Sequence, residues 1–307
     1  MLLHGYISDA CMNWVKHGHA DALAAAGFRV IMPDLRGHGD SDRPHDRACY
    51  PPDVLADDGL ALVELASRLD LRLMCDHTYC YTPAVMKIRE LIEQGQLGDI
   101  LFIDSVRINL GLIQPDIDVF WDLAPHDLSI MDFILPGGLN ATTAAAQGAD
   151  PLGAGKSCVG YLSLPLEGGA IAHVHVNWLS PTKIRQMVVG GSERTLVWDD
   201  LNPQQRLSVY DRGVDLAQVS TSDADRTEAI VSYRLGDTWS PALPEREALS
   251  AMTTEFADSI RGARAPRTDG RAGLRVLSVL EAASRSLALA GAPSPIESVS
   301  LTLEPVS

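Results

Sequence analysis

The chain has 307 residues, of which 46% are hydrophobic and 21% charged, a balance typical of a globular protein with room for two domains. Forty acidic residues against 25 basic ones give a formal net charge of -15, which disfavours nucleic acid and anionic membranes as partners. The five cysteines form no C-x-x-C pair, no apolar run is long enough to span a membrane and no targeting signal opens the chain, so we expect a cytoplasmic protein with reduced thiols.

The first part of the chain alternates between strand-like and helix-like segments. An apolar run at residues 2–3 precedes a helix-forming segment at residues 20–26, and residues 28–32 are rich in β-forming side chains. Asp53 is a favourable N-cap for a further helix that runs to about residue 68. This alternation predicts a βαβ arrangement with a partial parallel sheet.

Specific motifs accompany these elements. They are His4-Gly5, Trp14, Gly27-Phe28 and the run PDLRGHGDS from Pro33 to Ser41. The set resembles the opening part of an α/β-hydrolase, in which the backbone after the His-Gly pair helps to form the oxyanion hole. No G-x-S-x-G nucleophile elbow follows, since the nearest matches around Ser157 and Ser192 each lack the second glycine. We therefore interpret residues 1–75 as a hydrolase-like fragment with a scaffold role, and hydrolysis is retained only as an alternative function.

Downstream of this fragment the pattern of elements changes. Residues 71–81 resemble a buried strand that runs into a polar turn, and Thr82-Pro83 begins a helix that continues over residues 84–93. Further predicted strands cover residues 101–108, 171–178, 186–198 and 206–210, and two closing helices cover residues 248–261 and 273–290. The fold class is therefore an α/β N-terminal part followed by an α+β domain, with residues 76–307 as the second domain.

Several segments carry a second, more extensive resemblance. They are His77-Thr78 with Tyr81 and Pro83, Asp104-Ser105 with Arg107 and Asn109-Leu110-Gly111, WDLAPHDLSI at residues 121–130, Trp178-Leu179-Ser180-Pro181 with Lys183 and Arg185, and LEAA at residues 280–283. Over about three quarters of its length the chain resembles the glucose-fructose oxidoreductase and inositol dehydrogenase (Gfo/Idh/MocA) family. The resemblance implies an oxidoreductase that acts on a sugar or nucleotide sugar with NAD or NADP. It also implies an open-faced, mainly antiparallel sheet that covers a partner subunit in a homo-oligomer.

The segment around His126 carries the proposed chemistry. Asp122 and His126 are four residues apart, so on a helix the carboxylate and the imidazole share one face and can form a proton relay. The resemblance implies that His126 is the catalytic acid or base, with Asp122 as its orienter. It further implies substrate contacts from four side chains, namely His77, Tyr81, Asn109 and Arg185. Spacing alone favours a structural alternative, in which Asp122 is the N-cap, Pro125 lies in the first turn and His126 is half exposed.

The dinucleotide-binding motif of such an enzyme is missing. A G-x-G-x-x-G loop lets the backbone approach the pyrophosphate, but the run from Gly37 has Asp42 in place of the third glycine, and the run from Gly153 has Cys158 there. The lysine of the family's Glu-Lys-Pro motif is absent too. These gaps predict weak or no binding of NAD(H) or NADP(H), and hence either an impaired dehydrogenase or a non-catalytic chimeric or truncated remnant that only folds and oligomerises.

One further pair of histidines has the spacing of two metal ligands on a strand. His173 and His175 alternate with apolar residues along a predicted strand, so the two imidazoles lie on the same face. Because no third ligand follows at a suggestive spacing, we predict no metal here and expect a solvated or subunit-facing strand.

Overall fold

The computed structural model describes residues 1–5, 8–50, 65–66, 68–216 and 231–297. The chain divides into two compact units: unit 1 comprises Met1–Thr82 with Arg246–Gly270, and unit 2 comprises Pro83–Glu245 with Arg271–Ser307. The domain boundary near residue 75 is placed between the two family resemblances, not from compactness, and it stays a prediction. No helix in the described part is long and apolar enough to cross a membrane.

Helices and strands follow the hydrophobic periodicity of the sequence over most of the chain. In the described part the helices are α1 (His19–Ala25), α2 (Pro83–Glu93), α3 (Val119–Ile134), α4 (Ala248–Arg261) and α5 (Gly270–Ala288). The strands are β1 (Ile100–Leu110), β2 (Thr143–Ala149), β3 (Val159–Pro165), β4 (Ile171–Asn177), β5 (Leu179–Gly191), β6 (Thr195–Asp199), β7 (Leu207–Leu216), β8 (Val231–Trp239) and β9 (Ser294–Pro295). The predicted helices at residues 84–93, 248–261 and 273–290 are confirmed, as are the strands at residues 101–108 and 171–178.

Unit 2 is built around one large mixed sheet. The strand order is β8-β7-β6-β5-β1-β4-β3-β2-β9, and among the described residues only β1 and β4 run parallel. Along β4 the side chains of Ala172, Val174 and Val176 are buried, because they point towards the face of the sheet that the helices cover. The strongly apolar helix α3 packs against this face, with Phe120 and Leu128 fully buried. A mainly antiparallel sheet was expected, and the pairing has that character.

The single strand predicted over residues 186–198 is wrong. The chain instead forms a hairpin: β5 ends at Gly191, whose backbone N–H donates to the carbonyl of Arg194, and β6 then pairs antiparallel with β5. The turn residues Ser192, Glu193 and Arg194 carry no Asn-Gly or proline signal. For this reason the β-rich residues on either side of the turn predicted one continuous strand.

The described residues of unit 1 do not form the partial parallel sheet that the alternating pattern predicted. The backbone N–H of Leu2 donates to the carbonyl of Ile31 at 2.8 Å, but no strand longer than an isolated bridge occurs among the described residues of this unit. The predicted strand at residues 71–81 contributes only the bridge from Met74 to Asp269, and it gives way to a short 3₁₀ helix, Thr78–Tyr81.

These parallel strands do not form because too few strands and helices lie beside them to cover them. A parallel strand pair needs flanking strands and covering helices on both faces, whereas Ile31 is 49% exposed and Leu71 is 57% exposed. What holds the described part of unit 1 together is packing between α1 and α4, reinforced by the Arg261 guanidinium, which donates to the carbonyl of Ala26. The helix predicted from Asp53 falls largely outside the described residues.

Candidate active-site helix and glycine loops

The N-cap of helix α3 is Asp118 and not Asp122, the residue that the structural alternative named as the cap. The Asp118 side chain accepts hydrogen bonds from the backbone N–H groups of Phe120 and Trp121, so it is the N-cap. The alternative that made Asp122 the cap is therefore wrong. Pro125 correspondingly lies beyond the first turn, inside the helix. The signal that was overlooked is Asp118 itself, a strong capping residue directly before an apolar run.

A buried ion pair fixes the rotation of α3 about its axis. Nε and Nη2 of Arg107 on β1 donate to the two carboxylate oxygens of Asp127 at 2.8 and 3.0 Å, and the two side chains are only 3% and 2% exposed. The bidentate geometry allows one orientation of the helix against the sheet. The neighbouring His126 is exposed on the helix surface, and its backbone carbonyl accepts a hydrogen bond from the Ser129 hydroxyl. The imidazole is thus accessible to a reactant while the helix beneath it is fixed.

The side chain of Asp122 forms a hydrogen bond that the sequence did not predict. Its Oδ2 accepts the indole N–H of Trp178 at 2.8 Å, and Trp178 is 1% exposed at the end of β4. Gly111, which follows β1, lies against the same indole: a Cβ at this position would be 3.0 Å from Cδ1 of Trp178 and 3.2 Å from Nδ2 of Asn109. The structure therefore brings Asp122, Trp178 and Asn109 into one cluster around a glycine that leaves room for them.

Arg185 lies on the same face of the sheet as this cluster. In the antiparallel register of β1 and β5 it is directly opposite Arg107, and opposite residues point to the same side. Nη1 of Arg185 is 3.5 Å from Oδ2 of Asp200, and the Arg185 side chain is 32% exposed. Four of the six predicted site residues, Asp122, His126, Asn109 and Arg185, thus belong to unit 2.

The other two predicted site residues belong to unit 1. His77 is half-buried and precedes the 3₁₀ helix Thr78–Tyr81. Tyr81 is 3% exposed, and its hydroxyl lies 2.9 Å from Oγ1 of Thr268. Burial raises the pKa of the Tyr81 phenol to about 12, and the Thr268 hydrogen bond opposes this only in part. The role of both side chains as substrate contacts stays a prediction.

The run from Gly37 to Asp42, the first near-match to a dinucleotide-binding loop, already binds the carboxylate of Asp34. Asp34 directs one carboxylate oxygen at the backbone N–H of Ala10 (2.7 Å) and the other at the backbone N–H of Asp40 (2.9 Å). These two hydrogen bonds, chiefly the one from Ala10, hold the pKa of Asp34 below its usual range. Gly39 has φ +47°, and a Cβ there would overlap the Asp34 carboxylate. The small residue therefore makes room for an internal carboxylate.

The second near-match, the run from Gly153 to Cys158, also has an aspartate bound to its backbone amides. Oδ1 of Asp150 accepts the backbone N–H of Ala154 at 2.9 Å, and Oδ2 accepts that of Gly155 at 2.7 Å. The backbone hydrogen bonds, above all that from Ala154, lower the pKa of the Asp150 carboxyl. In a dinucleotide-binding loop such amides face the pyrophosphate. In the second loop Asp150 occupies two such amides, and in the first loop Asp34 occupies that of Asp40, so neither loop fits the pyrophosphate of NAD or NADP.

The His4-Gly5 pair is likewise committed to internal contacts. The backbone N–H of Gly5 donates to Oδ1 of Asn13 at 3.0 Å, and Nε2 of His4 accepts the backbone N–H of Leu35 at 2.9 Å. His4 itself is 5% exposed. These contacts fit the scaffold role expected for the hydrolase-like segment.

His173 and His175 have different surroundings although they share a strand face. The parallel register places Asp104 opposite His173, and Nδ1 of His173 lies 3.3 Å from Oδ1 of Asp104 on the exposed surface. The ring of His175 stacks on Tyr161 with 4.4 Å between centroids, and burial lowers its pKa. Each imidazole thus has a protein neighbour of its own.

Comparison with known proteins supports both resemblances seen in the sequence. Residues 85–197 match the GFO/IDH/MocA C-terminal domain, and residues 1–80 match the alpha/beta hydrolase fold. The chain is 30% identical over 91 residues to an epoxide hydrolase of Caballeronia sordidicola, a match that covers 28% of this chain and 26% of that protein. The two resemblances are therefore confirmed.

The longer matches lie among dehydrogenases. The chain is 27% identical over 221 residues to a UDP-N-acetylglucosamine 3-dehydrogenase of Acidithiobacillus ferrooxidans, covering 71% of this chain and 63% of that protein. An inositol dehydrogenase homologue of Azotobacter vinelandii, solved with NAD⁺, superposes with a TM-score of 0.60 at 18% identity, over 78% of this chain and 69% of that one. At this identity the superposition establishes the fold alone. The chain spans less than two thirds of either curated relative.

Proposed function

We propose that unit 2 is the substrate side of a sugar or nucleotide-sugar dehydrogenase, with His126 as the residue that accepts or returns the proton of the reacting hydroxyl. The observation that carries this proposal is the anchored helix α3. The buried pair of Arg107 and Asp127 fixes the helix, and the imidazole next to Asp127 is exposed on the surface of that helix. Similarity to a UDP-N-acetylglucosamine 3-dehydrogenase supports the assignment of the substrate class.

The chemistry follows from the side chains around α3. Oxidation of a secondary alcohol removes the O–H proton as hydride leaves carbon, and histidine is the side chain best suited to exchange a proton near neutral pH. Asp122, held by Trp178, supplies a carboxylate one helical turn before His126. Asn109 offers an amide to sugar hydroxyls. Arg185 offers a guanidinium to the diphosphate of a nucleotide sugar, in competition with Asp200.

We further propose that hydride transfer by this chain is impaired. A nicotinamide cofactor would supply the hydride acceptor, but Asp34 occupies the amide of Asp40 in the first glycine loop and Asp150 occupies those of Ala154 and Gly155 in the second. A carboxylate in that place also repels phosphate. The alternative is a remnant that folds and oligomerises without binding any substrate. For the hydrolase alternative, no residue supplies the missing nucleophile elbow.

Calorimetric titration separates these possibilities. Wild-type protein is titrated with UDP-N-acetylglucosamine, and in a separate run with NAD⁺, while the absorbance of NADH at 340 nm follows turnover. We expect saturable binding of the nucleotide sugar, weakened about ten-fold in Arg185→Gln and unchanged in the matched control Arg206→Gln, which is on the exposed surface. Binding of NAD⁺ with micromolar affinity would contradict the impairment. Absence of nucleotide-sugar binding would favour the remnant.

A homo-oligomer formed through the sheet of unit 2 is the second part of the proposal. Val214 on β7 is directly opposite Tyr233 on β8, and Leu235 points to the same side, with exposures of 56%, 75% and 84%. Three such side chains on one face are typical of a surface that a partner covers. Light scattering should give a mass above that of one chain for wild-type protein. Leu235→Lys should reduce the mass, whereas Leu152→Lys, an exposed leucine outside the sheet, should not.

A further inference from the structure

Arg185 meets its carboxylate partner in a different way from the buried arginine beside it. The guanidinium of Arg107 donates two hydrogen bonds to Asp127. Nη1 of Arg185 lies 3.5 Å from Oδ2 of Asp200, and the Arg185 side chain donates no hydrogen bond to any residue in the described ranges. A charge-assisted N–H···O bond measures about 2.7–2.9 Å, so this contact is an ion pair without a hydrogen bond. The donors of Arg185 therefore remain available to a ligand.

Backbone pairing keeps the Asp200 carboxylate beside this guanidinium. Arg185 is on β5, and Asp200 directly follows the last residue of β6, which pairs with β5. The backbone N–H of Asp200 donates to the carbonyl of Arg185 at 3.0 Å. Both side chains are partly open to solvent, with exposures of 32% and 22%. An anion that contacts Arg185 therefore also comes close to the negative charge of Asp200.

The repulsion from this carboxylate depends on the charge of the ligand. Coulomb energy is proportional to the product of the two charges, so each further negative charge on a ligand adds a similar increment. The diphosphate of a nucleotide sugar carries two negative charges, because both of its phosphates are esterified. A free nucleoside diphosphate carries nearly three near pH 7, because its terminal phosphate loses a second proton with a pKa of about 6. The carboxylate should therefore weaken binding of the free nucleotide more than binding of the nucleotide sugar.

We propose that Asp200 is a specificity-determining residue that favours a nucleotide sugar over the free nucleoside diphosphate. The proposal rests on the proposed function, in which Arg185 contacts the diphosphate. Arg185 supplies an attraction that both ligands share, and Asp200 opposes it in proportion to the charge of each. The site thus discriminates against a ligand that has the phosphates but lacks the sugar to be oxidised.

Calorimetric titration of wild-type protein and Asp200→Asn measures this selectivity. The asparagine keeps the shape of the side chain and removes its charge. The ligands are UDP-N-acetylglucosamine, UDP and uridine, each at an ionic strength of about 20 mM and at pH 7.5. We expect the variant to bind roughly three-fold more tightly for each ligand charge, which gives about ten-fold for the nucleotide sugar, about thirty-fold for UDP and no change for uridine. At about pH 5, where the terminal phosphate of UDP is protonated, the gain for UDP should fall towards that for the nucleotide sugar.

The matched control is Glu167→Gln, which removes one negative charge from the exposed turn between β3 and β4. This turn leads into β4 at Ile171, which pairs with the start of β1, whereas Arg185 pairs near the other end of β1. At that separation the control should change no affinity by more than about two-fold.

Three results with Asp200→Asn would overturn the proposal while the nucleotide-sugar assignment stands. They are unchanged affinities, equal gains for UDP and the nucleotide sugar at pH 7.5, and a gain for uridine. If neither UDP nor the nucleotide sugar bound to either protein, the nucleotide-sugar assignment would be refuted and this proposal with it.

Discussion

The ion pair between Arg107 and Asp127 allows a quantitative test of how α3 is held. Replacement of Asp127 by Asn keeps the shape of the side chain but removes its charge, and it leaves the guanidinium of Arg107 buried at 3% exposure. Breaking a buried pair by removing one partner costs about 3–5 kcal/mol, because the remaining charge loses its compensation. For a unit of roughly 200 residues, each kcal/mol lowers Tm by about 2–4 °C, so we expect a loss of about 6–20 °C.

Differential scanning calorimetry of matched variants provides the assay. Glu93→Gln is the control, since Glu93 pairs with Arg89 through a similar contact at 2.7 Å but is 57% exposed on α2. An exposed pair of this kind contributes about 0.3–0.5 kcal/mol, so its loss should lower Tm by about 1–2 °C. The double variant Arg107→Met with Asp127→Leu should lose less than either single variant, because neither partner remains charged.

Two outcomes would refute this reasoning. If Asp127→Asn melted within about 2 °C of wild type, the pair would not anchor the helix, and the fixed position of His126 would lose its support. If the double variant lost as much as the two single variants together, the side chains would act independently rather than as a pair.

Three further predictions concern the scaffold. Asp118→Ala removes the N-cap of α3 and should cost about 1 kcal/mol, or about 2–4 °C in Tm, whereas Asp116→Ala, an exposed neighbour, should not change it by calorimetry. Gly160→Ala would drive a Cβ into the Phe120 ring and should cost about 1–3 kcal/mol in urea unfolding. Burial raises the pKa of Tyr81 to about 12, so the contribution of its neutral phenol to stability is complete below pH 10 and is lost as pH rises towards 12. In urea unfolding, Tyr81→Phe should therefore reduce the loss of stability at alkaline pH.

Local patterns in the sequence determined helix α4 of unit 1 and most of the secondary structure of unit 2. The helical period of residues 248–261 gave α4 with the bounds that the structure has, and alternation of apolar residues gave β4. Each of these patterns depends only on which side of a single helix or strand is buried, so it can be seen in the local sequence. The two family resemblances likewise rest on short local motifs, and the comparisons confirm them.

Partners distant in sequence decided the rest. Spacing favoured Asp122 as the cap of α3, whereas the structure has Asp118 as the cap. The helix starts where the backbone N–H of Val119 reaches the carbonyl of Ser157, and Asp122 turns to the indole of Trp178 instead. Each of these contacts joins segments tens of residues apart, which no local periodicity records.

The glycine loops illustrate the same division. The sequence by itself established that the third glycine is missing from both near-matches to a dinucleotide loop. Only the tertiary structure showed that Asp34 closes the first loop by accepting backbone hydrogens from Ala10 and Asp40. A motif gives the residue types that a loop offers, whereas hydrogen bonds to its amides depend on which acceptor the fold brings within about 3 Å.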